Sequence, residues 1–284
     1  MYKVIAFCKW CQDLPPAQLA RNLKGLGFDG VDLPCRPGAP VTHATAPQKL
    51  SDYQRAFADE GLTLDRLVTS LQEADDEADR LLATAAELGI GKIRISGHLR
   101  PKIELGGKCD MQAALDQARR GVESLEKLLA KHGVSGGIQN HSGITLSVNV
   151  SSLLRVLEGR DPQWVGIQYD PGHTAFTGES PRLALGLMGP YLHSVNFKSS
   201  RYMNAMDPQT GRLRYHEVWG PLRDGMIDVP DVLAELQAAG YEDPISIHGE
   251  HRTYFYRVEE DREATDKLVG EDVAYLRACM DAAG

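Results

Sequence analysis

Short β-branched and apolar runs alternate along this chain with amphipathic stretches, so periods of two and of 3.6 residues succeed one another. Residues 2–7 predict a strand. Residues 15–26 predict a helix that opens on proline and is closed by Gly25 and Gly27. Further strands are predicted at 30–33, 64–69, 92–96, 137–140, 165–170, 192–197 and 245–249. Helices are predicted at 47–60, 75–88, 111–132, 151–157, 181–188 and 229–239. A closing helix spans 261–282, with a break expected near Gly270. Strands that alternate with helices imply parallel pairing through right-handed crossovers. Eight such units predict an α/β fold of the (β/α)8 TIM barrel class. An open doubly wound sheet is the rival architecture. It calls for a glycine-rich phosphate loop after the first strand, where this chain has FCKWCQDLPP.

Length fits the barrel: 284 residues, against about 250 for a typical one, predict a single domain over 1–284. The longest insertion, residues 199–229, follows strand seven and lies over the catalytic face of such a barrel, as a lid or as a plain surface excursion. A net charge of -8 and no basic patch argue against nucleic-acid and anionic membrane partners. No apolar run approaches the roughly 20 residues that span a bilayer. Residues 1–7 lack a signal cleavage pattern, which makes a cytoplasmic location the default expectation. Five cysteines, an odd and low count, do not make a disulfide framework. Cys8 and Cys11 have the spacing of a redox pair or half a zinc site, but no second C-x-x-C exists, and ordinary thiols near the rim are the preferred reading.

The chemistry is expected at the C-terminal strand ends, which in a barrel converge on one mouth. Strand five ends in Gln139, Asn140 and His141, and strand six in Asp170, followed by His173. Strand seven carries Asn196 and Lys198, and strand eight His248 and Glu250. Period-two alternation puts Gln139 with His141, Asn196 with Lys198, and His248 with Glu250 on common faces. Gln139, Asp170, Asn196 and His248 are expected to face one cavity. His98, after strand four, and Arg252, past strand eight, are further candidates for substrate contact. His173 is expected beside Asp170, with the carboxylate orienting the imidazole and raising its pKa.

These segments resemble the xylose isomerase-like superfamily of sugar isomerases and epimerases. IQNHSG is similar to its E-N-H-x-G run, YDPGHTAFTGE to D-x-G-H, and HSVNFKSS to V-H-x-K-D. LKGLGFDGVDL is similar to its opening, and LRDGMIDVPDVLAELQAAGYEDPISIHGE to its closing stretch. The pieces occur in order across nearly the whole chain. The resemblance implies a divalent cation held by Glu, Asp, His and Glu from strands five to eight, with the two Glu moving a proton between adjacent carbons. Carried onto this chain, those positions are Gln139, Asp170, Asn196 and His248, so only the Asp is retained. Neutral amides bind hard cations weakly, and Gln139 cannot abstract a proton. The inherited site is therefore degraded. A shifted site for Mn, Mg or Zn built from Asp170, His173, His248 and Glu250 remains the alternative.

The functional expectation is an enzyme that acts on a sugar or polyol by removing a proton next to a carbonyl. His248 is the expected base, oriented by Asp170 or Glu250. Lys198 offsets the charge of the enediolate, and Gln139, His141, Asn196, His98, His173 and Arg252 contact substrate. The alternatives are a lyase or dehydratase of the same fold and a non-catalytic sugar-binding barrel. A DNA-repair endonuclease sharing the barrel is disfavoured by the missing ligands and the negative charge. The partner is a small-molecule sugar or sugar derivative.

Overall fold

The computed structural model describes residues 2–103, 107, 109–251 and 261–283. The chain runs through β1 (Val4–Phe7), α1 (Pro16–Gly25), β2 (Gly30–Pro34), α2 (Ala46–Asp59), β3 (Thr63–Val68) and α3 (Asp76–Glu87). It continues with β4 (Lys92–Ile95), α4 (Met111–His132), β5 (Ser135–Gln139), α5 (Val150–Leu157), β6 (Val165–Tyr169), α6 (Pro171–Thr177) and α7 (Pro181–Met188). After β7 (Leu192–Phe197) come β8 (Ser199–Met206), β9 (Leu213–Gly220), α8 (Val229–Ala238), β10 (Ile245–His248) and α9 (Arg262–Ala283). Among the described residues, eight strands close into a barrel in the order β1-β10-β7-β6-β5-β4-β3-β2. All eight neighbouring pairs are parallel. The expected barrel is thus the observed one.

Alternation along each strand divides the side chains between two layers. Ile93 and Ile95 of β4 join Val31, Leu67, Ile138, Ile167, Val195 and Ile247 in the apolar layer beneath the helices. The other face of β4 sends Lys92 and Arg94 into the barrel. At the N-terminal end Lys92 Nζ donates to the His193 carbonyl oxygen at 2.9 Å and pairs with Asp243, while Arg66 donates to the Pro244 carbonyl oxygen. Room for His193 comes from Gly137, where a Cβ would lie 2.5 Å from Nδ1. The interior is therefore polar from bottom to mouth, unlike the branched aliphatic filling common in such barrels.

Helix starts follow the side chains that cap them. Asp75, Asp110, Asn149, Asp170 and Asp228 each accept a hydrogen bond from the backbone N–H three residues on, at 2.7–3.2 Å. No described helix is long and apolar enough to cross a membrane.

Three expectations need correction. The closing helix does not break: α9 continues through Gly270. A glycine costs a helix about 1 kcal/mol relative to alanine. Val269, Val273 and Leu276 are buried on the same helix and outweigh it, at about 1.5–3 kcal/mol for each side chain. Residues 171–177, where no element was expected, form α6, because Asp170 caps the turn and Pro171 fits its first position. The insertion at 199–229 is no loose excursion. Its β8 and β9 pair antiparallel over their full lengths and pack on α6, with Ser200 Oγ donating to the Gly172 carbonyl oxygen at 2.7 Å.

Two glycine substitutions should move stability in opposite directions. At Gly121, inside α4, an added Cβ would sit 2.4 Å from the Gln72 carbonyl oxygen and 2.9 Å from His98 Cδ2. Gly121→Ala is expected to destabilise by about 1–3 kcal/mol despite alanine's better helix propensity. At Gly270 the nearest atom, Leu26 Cδ2, is 3.5 Å away, and Gly270→Ala should stabilise by about 0.5–1 kcal/mol. Urea unfolding of both variants checks the signs, and a stabilised Gly121→Ala would contradict the close approach of α4 to residue 72.

Candidate functional site

A cavity of about 800 Å3 opens at the C-terminal end of the barrel. Gln139 from β5, Lys198 after β7, and His248 and Glu250 at the end of β10 line it, together with His141 and His98. Sequence reasoning had named all six. Asp170 and Asn196 do not line it. Both are fully buried and lie under its floor, where all four inherited positions had been expected to face the cavity. Arg252 lies outside the described residues.

Asp170 organises that floor. Gln139 Nε2 donates to its Oδ2 at 2.8 Å, and Asn196 Nδ2 donates to the same oxygen at 2.6 Å. The His173 backbone N–H reaches Oδ1 at 3.2 Å. Asn140 closes a reciprocal pair with the backbone of Asp170, donating to its carbonyl at 2.9 Å and accepting from its N–H at 2.7 Å. Arg94 fixes which way Gln139 points: its Nη1 donates to Oε1 at 2.8 Å, leaving the amide nitrogen for Asp170. Burial pushes the Asp170 carboxyl up to about 6, against the Lys198 charge and the hydrogen bonds from Gln139, His173 and Asn196.

This floor does not fit the cation that the family resemblance implies. The Asp170 oxygen that such an ion needs is already shared by two amide nitrogens, which present protons instead of lone pairs. Among the described residues no group of three or more His, Cys, Asp and Glu is arranged to hold a metal. Among the described residues, only Glu250 of the alternative set is tied up by cations. His173 Nε2 lies 3.7 Å from Asp170 Oδ2, while Glu250 is tied to Lys9 at 2.7 Å and Lys198 at 2.8 Å.

His173 lies beside Asp170 as expected, but its ring is held by Ser142 and its charge departs from expectation. Its Nδ1 accepts from the Ser142 N–H at 3.1 Å and meets Ser142 Oγ at 2.9 Å. Burial, then the Lys198 charge, pushes its pKa well below the usual imidazole value, whereas the Asp170 carboxylate had been expected to raise it. The ring is sandwiched between His141, at 3.9 Å between centroids, and the edge of Trp219, at 4.8 Å.

His248 is buried against Phe7, ring centroids 4.5 Å apart, and no described residue hydrogen-bonds its imidazole. The expected orientation by Asp170 or Glu250 through a hydrogen bond is therefore not what the structure shows. Burial and the Lys198 charge hold His248 well below its ordinary pKa, with Glu250 opposing them. His141 is brought to about 4 by burial and then Lys198. Burial raises Glu250, but Lys198 and Lys9 outweigh it and keep the carboxyl well below the usual range. Lys198 also lies 4.2 Å from the centroid of Trp219.

Several wall residues escaped sequence reasoning: Arg36, Arg94, Lys9 and Ser147, and Trp219 behind Lys198. Arg94 had a usable signal, a charge on the inward face of a parallel strand. Trp219 reaches the site only through the hairpin. His98 lines the cavity in a left-handed conformation, φ 54°, and its Nε2 approaches Glu73 at 3.5 Å. The Cys8 and Cys11 thiols are buried. Burial raises Cys8 well above its usual value and Cys11 to about 12, which removes thiolate chemistry at neutral pH.

A family model described as xylose isomerase-like TIM barrel matches residues 20–279. The chain belongs to that family. Among solved structures, 3-keto-D-glucoside 4-epimerase from E. coli aligns with a TM-score of 0.74 and 15% identity, covering 98% of this chain and 100% of that one. D-psicose 3-epimerase from Clostridium cellulolyticum aligns at 0.69 and 13%, over 98% and 99%. A probable 3-DHS dehydratase from Bacillus anthracis aligns at 0.66 and 17%, over 97% and 98%. These likenesses establish the fold. Inosose dehydratase of Geobacillus thermodenitrificans is 28% identical over 127 residues, 43% of this chain and 42% of that protein. The match thus spans less than half of that relative.

The charge states set a pH dependence. His141, His173, His193 and His248 all have folded pKa values below 6.5, so the unfolded chain binds protons there that the folded chain does not. Stability should fall as pH drops below about 6.5. Asp170 and Asp32, raised by burial, act in the opposite sense but are fewer. The thermal midpoint is expected to fall between pH 7 and pH 5. A midpoint that rises over this window would show the four imidazoles to be charged in the folded state.

Proposed function

We propose that this chain is a sugar isomerase/epimerase-like enzyme that removes a proton from the carbon next to a carbonyl of a sugar or polyol. The observation that carries the reading is His248: an imidazole on the cavity wall, held neutral, with its Nε2 buried and without a hydrogen-bond partner among the described residues. A neutral imidazole has the lone pair a general base needs, and depression of its pKa keeps that lone pair free at neutral pH. Proton abstraction leaves an enediolate. Lys198, held by Glu250 and the face of Trp219, supplies the positive charge for its oxygen. Arg94 and Gln139, already joined by a hydrogen bond, add donors at the floor. Return of the proton to the neighbouring carbon isomerises; return to the opposite face of the same carbon epimerises. His98 and His141 stand on the same wall and contact substrate hydroxyls. The setting is cytoplasmic, and the partner is a small-molecule sugar or sugar derivative.

A dehydratase reading is favoured by one observation. Gln139 replaces the family's first carboxylate, so the paired carboxylate relay of an epimerase is absent as such. A single base whose enediolate expels a β-hydroxyl as water needs no second base, and the partial match is to a dehydratase. Deuterium exchange from D2O into ketoses, aldoses and oxidised sugars, followed by proton NMR, reports proton abstraction in either case. New isomers mark the first reading and loss of water the second.

His248→Gln keeps a hydrogen-bonding side chain and removes the titratable nitrogen. It should lower exchange and turnover by about 100- to 10,000-fold. In the wild type the acid limb of kcat/KM should lie below pH 6.5, because the base stays unprotonated down to its depressed pKa. A folded variant within about threefold of wild type would move the base to His141 or Glu250.

We also propose that activity does not depend on a tightly held divalent ion. Protein purified without added metal and dialysed against a mild chelator should carry well below one divalent ion per chain by elemental analysis. A full equivalent would redirect attention to Asp170, His173, His248 and Glu250.

A further inference from the structure

The whole chain carries a net charge of -8, yet its cavity is cationic. Six basic side chains line it, Lys9, Arg36, Arg94, Arg100, Lys102 and Lys198, against two carboxylates, Asp110 and Glu250. Two of the six are already committed, since Lys9 and Lys198 both pair with Glu250. The guanidinium of Arg36 makes no hydrogen bond or ion pair among the described residues and lies 5.5 Å from the centroid of the Phe7 ring. Arg94 uses a single N–H, toward Gln139, of the five its guanidinium offers. Burial depresses both arginines, and Arg94, brought to about 10, is lowered further by the charge of Arg36. Two guanidiniums thus line one cavity, with most of their donors unspent among the described residues. Asp32, sealed below, offsets part of the cost of their burial by its charge but forms no ion pair with either arginine. Such a pair is matched by an oxyanion entering from the cavity, which accepts from both forks at once.

We propose that the substrate carries a carboxylate or phosphate group, and that Arg36 and Arg94 hold it. The barrel order places β4, which bears Arg94, diametrically opposite β10, which bears His248, while Arg36 lies over Phe7, the ring that packs on His248. The anionic end of the substrate is held by these two guanidiniums, and its carbonyl end by His248 and Lys198. This orientation rests on the proposed function; the anion site itself does not, and it is measurable without turnover.

Calorimetric titrations at pH 7 and fixed ionic strength use inorganic phosphate, D-glucuronate, D-glucose 6-phosphate and D-glucose. Wild-type protein is expected to bind at least one of the two anionic sugars about tenfold or more tightly than D-glucose. Their order tells a carboxylate site from a phosphate site. Arg36→Met should weaken the anions by about 10- to 100-fold, the usual loss for a charged hydrogen-bonded contact. It should leave folding intact, because the Arg36 side chain makes no hydrogen bond among the described residues. Arg94→Met should act in the same direction, with circular dichroism controlling for loss of its bond to Gln139. Equal affinity for neutral and anionic sugars overturns the proposal, as does anion binding unaffected by Arg36→Met. Failure of every anionic probe, inorganic phosphate included, to bind below about 10 mM also overturns it. Phosphate binding lost in Arg36→Met, with no deuterium exchange into any sugar, upholds the anion site and retires the sugar-enzyme reading.

Discussion

A carboxylate sealed inside a barrel has to be matched by donors, and the arrangement of this mouth follows from how Asp170 is matched. An ion buried without partners costs several kcal/mol, so a fully enclosed aspartate is tolerated only with close, well-directed N–H groups. Here they come from three directions: the amides of Gln139 and Asn196 on the flanking strands, and the first turn of α6. Each donor is itself constrained. Gln139 is turned by Arg94, and α6 is drawn against the end of β7 because Gly172 lets the Lys198 carbonyl approach to 2.2 Å from where a Cβ would stand. The D-P-G-H run is thus a cap, a helix start, a close approach and a buried ring in four successive residues.

The hairpin inserted after β7 completes the wall. Its Trp219 lies 5.1 Å from Phe176 of α6, 4.8 Å from His173, and 4.2 Å from the Lys198 ammonium. An ammonium nearly excluded from water needs either a counter-ion or a π face, and Lys198 has both. That placement adds to burial, the larger cause of the neutrality of the surrounding imidazoles. One fixed positive charge in a poorly solvated pocket disfavours a second, so His141, His173 and His248 share Lys198 as a cause of their depressed pKa values.

The barrel was legible because each of its eight units repeats the same change of period, and the ordered strand-end motifs located the mouth. Burial depth was not legible. Alternation assigns Asp170 and Asn196 to the inward face but says nothing of whether that face meets solvent or the floor, and Gln139 covers them. The continuity of α9 also escaped a local reading: glycine propensity is a small local term, and the packing of Val269 and Val273 that overrides it is tertiary. The cationic lining was half visible. Lys92 and Arg94 in KIRI, Arg66 in TLDRLV and Asp32 in GVDLP each place a charge on a buried strand, where an aliphatic residue is the norm. The contribution of Trp219 had no local signature, since it depends on a hairpin folding back onto α6.

Taken with the amide substitutions, these charges describe a redistribution. In the family pattern that the motifs resemble, positive charge at the mouth is concentrated in one ion among carboxylates. In this chain two of those carboxylate positions are Gln139 and His248, so the mouth has less negative charge to neutralise. Cations are spread around the rim and walls: Lys9 and Lys198 on either side of Glu250, Arg36 over Phe7, Arg94 on Gln139. Protein cations differ from a central ion in one respect that bears on chemistry. They are directional and separated, so on the proposed function one end of a substrate meets guanidinium forks while the other meets an ammonium beside a neutral imidazole. In that reading Lys198 polarises the carbonyl oxygen without lowering the electron density on His248 by direct coordination. The selectivity of such a site is set by the spacing of charges across the barrel, not by the geometry of a coordination shell.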